Sequence, residues 1–161
     1  LKMLTFILVN MFQMLRRKKK KGPVVSKKIT VDGIRFASGL EAYMYKALKT
    51  FKIRAEYEGK TFTLVDEFTF TENAYERCAN GRGEYKNRGE KKIQGIKYTP
   101  DFVGDDFIIE CKGRANESFP IRWKMFKKHV HYNLPGITLY KPQNQKECDM
   151  TIDLILEKRK I

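Results

Sequence analysis

Residues 107–112, Phe-Ile-Ile-Glu-Cys-Lys, constrain the fold more than any other stretch of the chain. Three consecutive apolar residues suited to a strand turn side chains to both faces, so this strand is expected inside a sheet covered on both sides. The strand then runs into Glu110 and Lys112, and burying an unpaired charge costs several kcal/mol or more. Residues two apart along a strand share a face, so both charges are expected to look toward one common partner at a buried strand's end.

The flanking sequence suggests what surrounds them. Pro100-Asp101-Phe102 starts a preceding strand, and the turn Val-Gly-Asp-Asp folds Asp101 back toward Glu110, as a hairpin requires. Three pieces, 91–102, the turn, and 107–112, read as a meander. Beyond Gly113 a polar linker leads to a helix beginning near Pro120, whose fixed φ suits a first turn. Trp123, Phe126 and Val130 form its apolar stripe, whereas Lys124, Lys128 and His131 share another face. The segment 136–142 reads as a strand ending at Pro142. Strand, helix and strand in succession imply a crossover, a partly parallel sheet and an α/β class. The tail, 150–161, suits a helix or a strand.

Upstream, Asp32-Gly33 between β-branched residues predicts a small hairpin. A helix is predicted over 39–51 from Leu40, Met44, Ala47, Leu48 and Phe51, with Ser38 as N-cap. Residues 52–76 alternate apolar and polar with aromatics, as one or two antiparallel strands do. The glycine-rich segment that follows is expected as a loop or hairpin tip, so that about 66–97 forms a long insertion.

Composition sets the partner. With 161 residues, 42% of them hydrophobic, the chain suits one domain with a real core. Its formal charge is +14, and nine of the 33 basic residues precede the first acid, Asp32. A polyanion is the natural partner, nucleic acid ahead of an acidic membrane surface. Residues 1–28 are read as an apolar extension followed by a basic arm, and 29–161 as a single domain. The first fifteen residues fall short of the ~20 that span a bilayer, and their charges follow the apolar run where a secretory signal would place them before it. The chain opens with Leu; a native start at Met11 or Met14 is expected, with an amphipathic surface helix as the alternative. Three cysteines without a CxxC pair and two closely spaced histidines argue against zinc and disulfides and for a reduced, cytosolic protein.

Carboxylates at a strand end beside a lysine suit phosphodiester hydrolysis. Magnesium takes oxygen ligands and keeps several waters, so two or three carboxylates suffice. A lysine among them offsets their repulsion and donates to water or phosphate. Asp101, Glu110 and Lys112 supply such a set. Taken singly, each has a blander reading: Pro-Asp is a common turn pair, and Glu-x-Lys is often a solvated strand face. Asp105 and Asp106 read as turn residues, His129 and His131 as phosphate contacts or surface residues, and Tyr43, Tyr45, Trp123 and Phe126 as packing.

Together, SGLE at 38–41, YTPDF at 98–102 and IECKG at 109–113 resemble the endonuclease I family of T-odd bacteriophages, Holliday-junction resolvases of the PD-(D/E)xK nuclease superfamily. The resemblance covers roughly residues 34 to 141. It implies a restriction-endonuclease-like mixed central sheet flanked by helices, and a magnesium site on Glu41, Asp101, Glu110 and Lys112, with the Cys111 carbonyl as a further ligand and manganese able to substitute. It implies cleavage leaving a 5′-phosphate. Glu41 also forms, with Ser38, the pattern S-x-x-E of a capping box. The insertion lies where the phage enzymes exchange parts between subunits, so Glu41 acting in its own chain or in a homodimer partner are both open.

The expectation is therefore a magnesium-dependent DNA endonuclease, selective for branched DNA such as Holliday junctions, in bacterial or phage-infected host cytosol, with no membrane partner and no small-molecule cofactor. Arg114, Arg122, Lys124, Lys128 and His131 are the expected DNA contacts. The rivals are a mismatch or restriction-type nuclease with the same chemistry, and a basic nucleic-acid-binding protein without catalysis.

Overall fold

The computed structural model describes residues 27–114 and 116–160; the apolar extension and most of the basic arm lie outside them. The fold is mixed α/β. It opens with β1 (Ile29–Val31) and β2 (Ile34–Phe36), an antiparallel pair whose turn residues Asp32 and Gly33 both have positive φ. Such a turn matches the twist of the strands it joins, which is why Asp-Gly belongs there. Asp32 also accepts hydrogen bonds from Lys49 Nζ at 2.7 Å and the Tyr45 hydroxyl at 3.1 Å, tying the hairpin to helix α1 (Gly39–Thr50). Met44 and Leu48 of α1 are buried as the periodicity predicts, but Phe51 is half exposed. It is the helix's C-cap residue, where the chain leaves the helical path before Lys52 turns to positive φ.

A four-stranded sheet in the order β12-β11-β10-β3 positions the strand that frames the problem. Its members are β3 (Glu56–Tyr57), β10 (Phe102–Val103), β11 (Phe107–Ile109) and β12 (Thr138–Tyr140). β10 lies antiparallel to β3 and β11, whereas β11 and β12 are parallel, joined through helix α2 (Phe119–Asn133). The sheet is thus mixed, as the strand-helix-strand order requires.

All three residues of β11 are at most 1% exposed, and they divide between two cores. Phe107 and Ile109 pack with Met44 and Leu48 of α1 and with Cys148, Ile152 and Ile155 of α3 (Gln145–Lys158). Ile108 packs on the other face with Phe119, Trp123, Phe126 and Val130 of α2. Each such burial stabilises by about 1.5–3 kcal/mol, so β11 is a central prop of the fold. The tail is a helix because Asn144 caps it: its side chain accepts the Glu147 N–H at 2.9 Å, and Glu147 in turn accepts the Gln143 N–H at 2.7 Å.

Residues 62–98 form a long antiparallel ribbon. β4 (Phe62–Val65) pairs with β9 (Ile96–Tyr98), β5 (Phe68–Phe70) with β8 (Lys91–Ile93), and β6 (Tyr75–Glu76) with β7 (Lys86–Asn87). The expected meander is therefore only half present, because β9 pairs with β4 and not with β10. Pro100, which lacks an N–H, sits between β9 and β10, at the point where the chain leaves the ribbon for the sheet. All three cysteines are free thiols, and among the described residues no helix is long and apolar enough to cross a membrane.

Candidate active site

Phe102 pairs with Ile109 in the antiparallel register, so Asp101 follows as the neighbour of Glu110 just past the ends of both strands. The link is tightened by the Cys111 N–H, which donates to Asp101 Oδ2 at 2.6 Å. Glu110 and Lys112 lie beyond the last residue of β11, yet their N–H groups still bond the carbonyls of Tyr140 and Pro142, each at 3.0 Å. This alternate pairing keeps both side chains on one side, as their spacing predicts.

Glu110 is 6% exposed, and its ion pair with Lys112 Nζ spans 4.0 Å, the outer limit for such a contact. Lys112 instead rests over the Phe119 ring, 4.9 Å from its centre. The lysine therefore compensates the buried carboxylate only in part.

Glu41 lies in the first turn of α1 and is buried. Its N–H donates to Ser38 Oγ at 3.2 Å, Ser38 Oγ donates to Glu41 Oε1 at 2.7 Å, and Ala37 N–H donates to Oε2 at 2.9 Å. The capping role is thus realised, shifted by one residue from the usual reciprocal box. A third donor, unforeseen in the sequence, is the Tyr57 hydroxyl at 2.7 Å from Oε2. That bond holds Glu41 toward β3 and the sheet.

The three carboxylates act on one another. Burial, then the charges of Glu110 and Glu41, push the Asp101 pKa up to about 8, against the opposing Cys111 N–H and Lys112. Burial also raises that of Glu110, with Glu41 adding to it and Tyr98 and Lys112 opposing. Excess negative charge is thus packed in one place with too little positive charge to balance it. Among the described residues no group of three or more His, Cys, Asp and Glu side chains is arranged to hold a metal ion by itself. The donor chemistry nevertheless fits a hard divalent cation: oxygen-only donors, mutual repulsion that a cation would relieve, and a preference of magnesium for one or two carboxylates plus water.

The expected DNA contacts divide. Arg114, Arg122, Lys124, Lys128 and His131 are all exposed. At about 100° per residue, Lys124, Lys128 and His131 fall on the side of α2 opposite Trp123 and Phe126. Arg122 does not share that side: it donates to the Lys97 carbonyl at 2.6 Å and its guanidinium lies 5.8 Å from the centre of the Tyr98 ring. His129 packs edge-on against Phe62, with ring centres 5.6 Å apart. Asp105 and Asp106 sit at the opposite end of the β10–β11 hairpin, where Asp106 pairs with Lys158 at 3.3 Å and Arg159 at 3.4 Å.

Two further residues near the cluster had no role assigned to them from the sequence. Lys141 Nζ lies 5.9 Å from the Phe119 centre, on the same ring as Lys112. Tyr98 is 5% exposed, and its buried hydroxyl interacts with the Glu110 carboxylate without meeting any acceptor in full hydrogen-bond geometry. The first follows Tyr140, the strand partner of Ile109, and the second ends β9 two residues before Pro100; neither neighbourhood is visible without the sheet order.

Fold and site together define a mixed α/β protein with buried carboxylates gathered at the end of a central hairpin. The chain belongs to the family described as Protein of unknown function (DUF1064), which matches residues 19–142 and so spans every carboxylate of the cluster. No curated protein matches the chain, and no solved structure does.

Proposed function

We propose that this protein is a magnesium-dependent DNA endonuclease of the restriction-endonuclease-like fold, acting on branched DNA in the cytosol, with a homodimer as its working form. The observation that carries the reading is the meeting of Asp101, Glu110 and Glu41 at one strand end with a single, loosely paired lysine. Asp101 and Glu110 hold the cation, Glu41 completes its surroundings, and the Cys111 carbonyl is a further ligand. Bound magnesium, or manganese in its place, supplies an activated water and neutralises charge on the scissile phosphate.

The chain's own residues do the remainder. The Cys111 N–H orients the Asp101 carboxylate. Ser38, Ala37 and Tyr57 fix that of Glu41. Lys112, held over Phe119, donates to the attacking water or to a phosphate oxygen. The outer face of α2 grips phosphates through Lys124, Lys128 and His131, and Arg114 extends that grip.

A second reading, DNA binding without catalysis, is favoured by one observation: the lysine face of α2 lies apart from the carboxylates. One experiment separates the two. The protein is incubated with a four-way DNA junction and a matched linear duplex, with magnesium or EDTA, beside Glu110→Ala. Magnesium-dependent cuts near the branch that vanish in the variant support the endonuclease. Cuts on both DNAs alike support a duplex-type nuclease, and binding without cuts supports the non-catalytic protein.

A further inference from the structure

Tyr98 ends β9, where it pairs with Phe62, and its ring stacks on Phe126 with centres 4.5 Å apart. Trp123 lies 6.2 Å away, and Trp123 in turn stacks on Phe119, the ring beneath Lys112. One row of aromatic side chains on α2 therefore supports both Lys112 and Tyr98. The packing explains the ring and leaves the hydroxyl unexplained. A buried hydroxyl without a fully formed hydrogen bond is destabilising, and phenylalanine would fill the same space without that cost.

The hydroxyl lies beside the carboxylates and interacts with that of Glu110, with Asp101 close by, but it meets no acceptor in full hydrogen-bond geometry. A phenol keeps its proton at neutral pH, so the group is available as a donor. Carboxylates only accept, so an oxygen-rich ligand among them needs donors from elsewhere. Lys112 is one. Arg122, clamped to the Lys97 carbonyl, flanks the Tyr98 ring and adds positive charge there.

We propose that Tyr98 is a further functional residue of this site, whose hydroxyl donates a hydrogen bond to an external oxygen held at Asp101 and Glu110, either a water or a phosphate oxygen of the substrate. This rests on the endonuclease reading above and adds a second side-chain donor beside Lys112. The donor fixes that oxygen from the α2 side of the sheet, while Lys112 acts from the strand itself.

Tyr98→Phe tests it, because the ring and its packing stay. Four quantities are compared with wild type: the melting temperature without metal, the Mn2+ affinity by calorimetry without DNA, and kcat and KM on a four-way junction. The expected result is a metal-free melting temperature equal to or above that of wild type, with a loss of about tenfold or more in Mn2+ affinity or in kcat, the scale typical of residues that orient a metal site. Weaker Mn2+ binding identifies the oxygen as water, whereas a loss confined to junction kinetics identifies it as phosphate. A lower metal-free melting temperature would mean that the hydroxyl is bonded within the protein, and would overturn the proposal. Unchanged Mn2+ affinity and kinetics in an active background would overturn it alone. A wild-type protein that neither binds Mn2+ nor cuts DNA overturns the endonuclease reading and this proposal together.

Discussion

Asp101 Oδ2 accepts the backbone N–H of Cys111 at 2.6 Å, so an acid preceding one strand is locked to the chain leaving the next. The bond aims a carboxylate whose charge burial and two like neighbours oppose. Asp101→Asn removes the charge and keeps an acceptor for that N–H. The expected outcome is loss of cleavage with DNA binding largely retained, and a metal-free protein more stable than wild type at pH 8. Cleavage and thermal melts of the same preparation check both parts, and residual cutting near the wild-type rate would remove Asp101 from the mechanism.

The same residue sets a pH dependence. The folded-state pKa of Asp101, about 8, lies above its ordinary value. Its contribution is therefore fully present below the ordinary carboxylate range and is lost as pH rises toward 8. Glu110 shifts in the same direction. Metal-free protein is expected to lose on the order of a few kcal/mol between pH 4 and pH 8 from this cluster, and magnesium is expected to restore more stability at pH 8 than at pH 5. Urea unfolding at the two pH values, with magnesium or EDTA, measures it; equal magnesium effects at both would count against a cation among these carboxylates.

Glu41 has two roles that one pair of variants can separate. Glu41→Ala leaves Ser38 as the cap but removes the acceptor of the Ala37 N–H and of the Ser38 and Tyr57 hydroxyls, so a loss of about 1–2 kcal/mol is expected from these bonds alone. Glu41→Gln keeps an oxygen acceptor and removes the charge. Cleavage is expected to fall by about two orders of magnitude or more in both, while Glu41→Gln melts much closer to wild type. A Glu41→Gln protein that cuts normally would leave Glu41 with the capping role only.

The strand pair, its turn and the carboxylate spacing were legible in the sequence because they obey short-range rules. Asp32-Gly33 specified its own turn, Ser38 its cap, and the apolar run 107–109 its double-sided burial. What escaped depended on partners far along the chain. β9 joins β4 across the whole ribbon, which no alternation pattern could announce. Tyr57 reaches Glu41 through the sheet order, and Tyr98 reaches the cluster through the packing of α2. Arg122 is basic and helical like the lysines, but two residues of helical rotation from Lys124 and the bond to the Lys97 carbonyl turn it elsewhere.

That division of α2 gives the last prediction. Lys124→Ala and Lys128→Ala remove exposed charges on the outer face of α2, so junction affinity is expected to weaken with each and the slope of log affinity against log salt to shrink by about 1 per lysine. The rate at saturating DNA should stay near wild type, because neither lysine touches the carboxylates. Lys112→Ala is expected to do the reverse, abolishing cleavage with little change in affinity or salt slope. Salt titrations of binding and single-turnover cleavage on the same junction measure both quantities. If the α2 lysines changed the single-turnover rate as much as Lys112, phosphate gripping and chemistry would not be separate tasks in this protein, and the assignment of the two faces of α2 would fall.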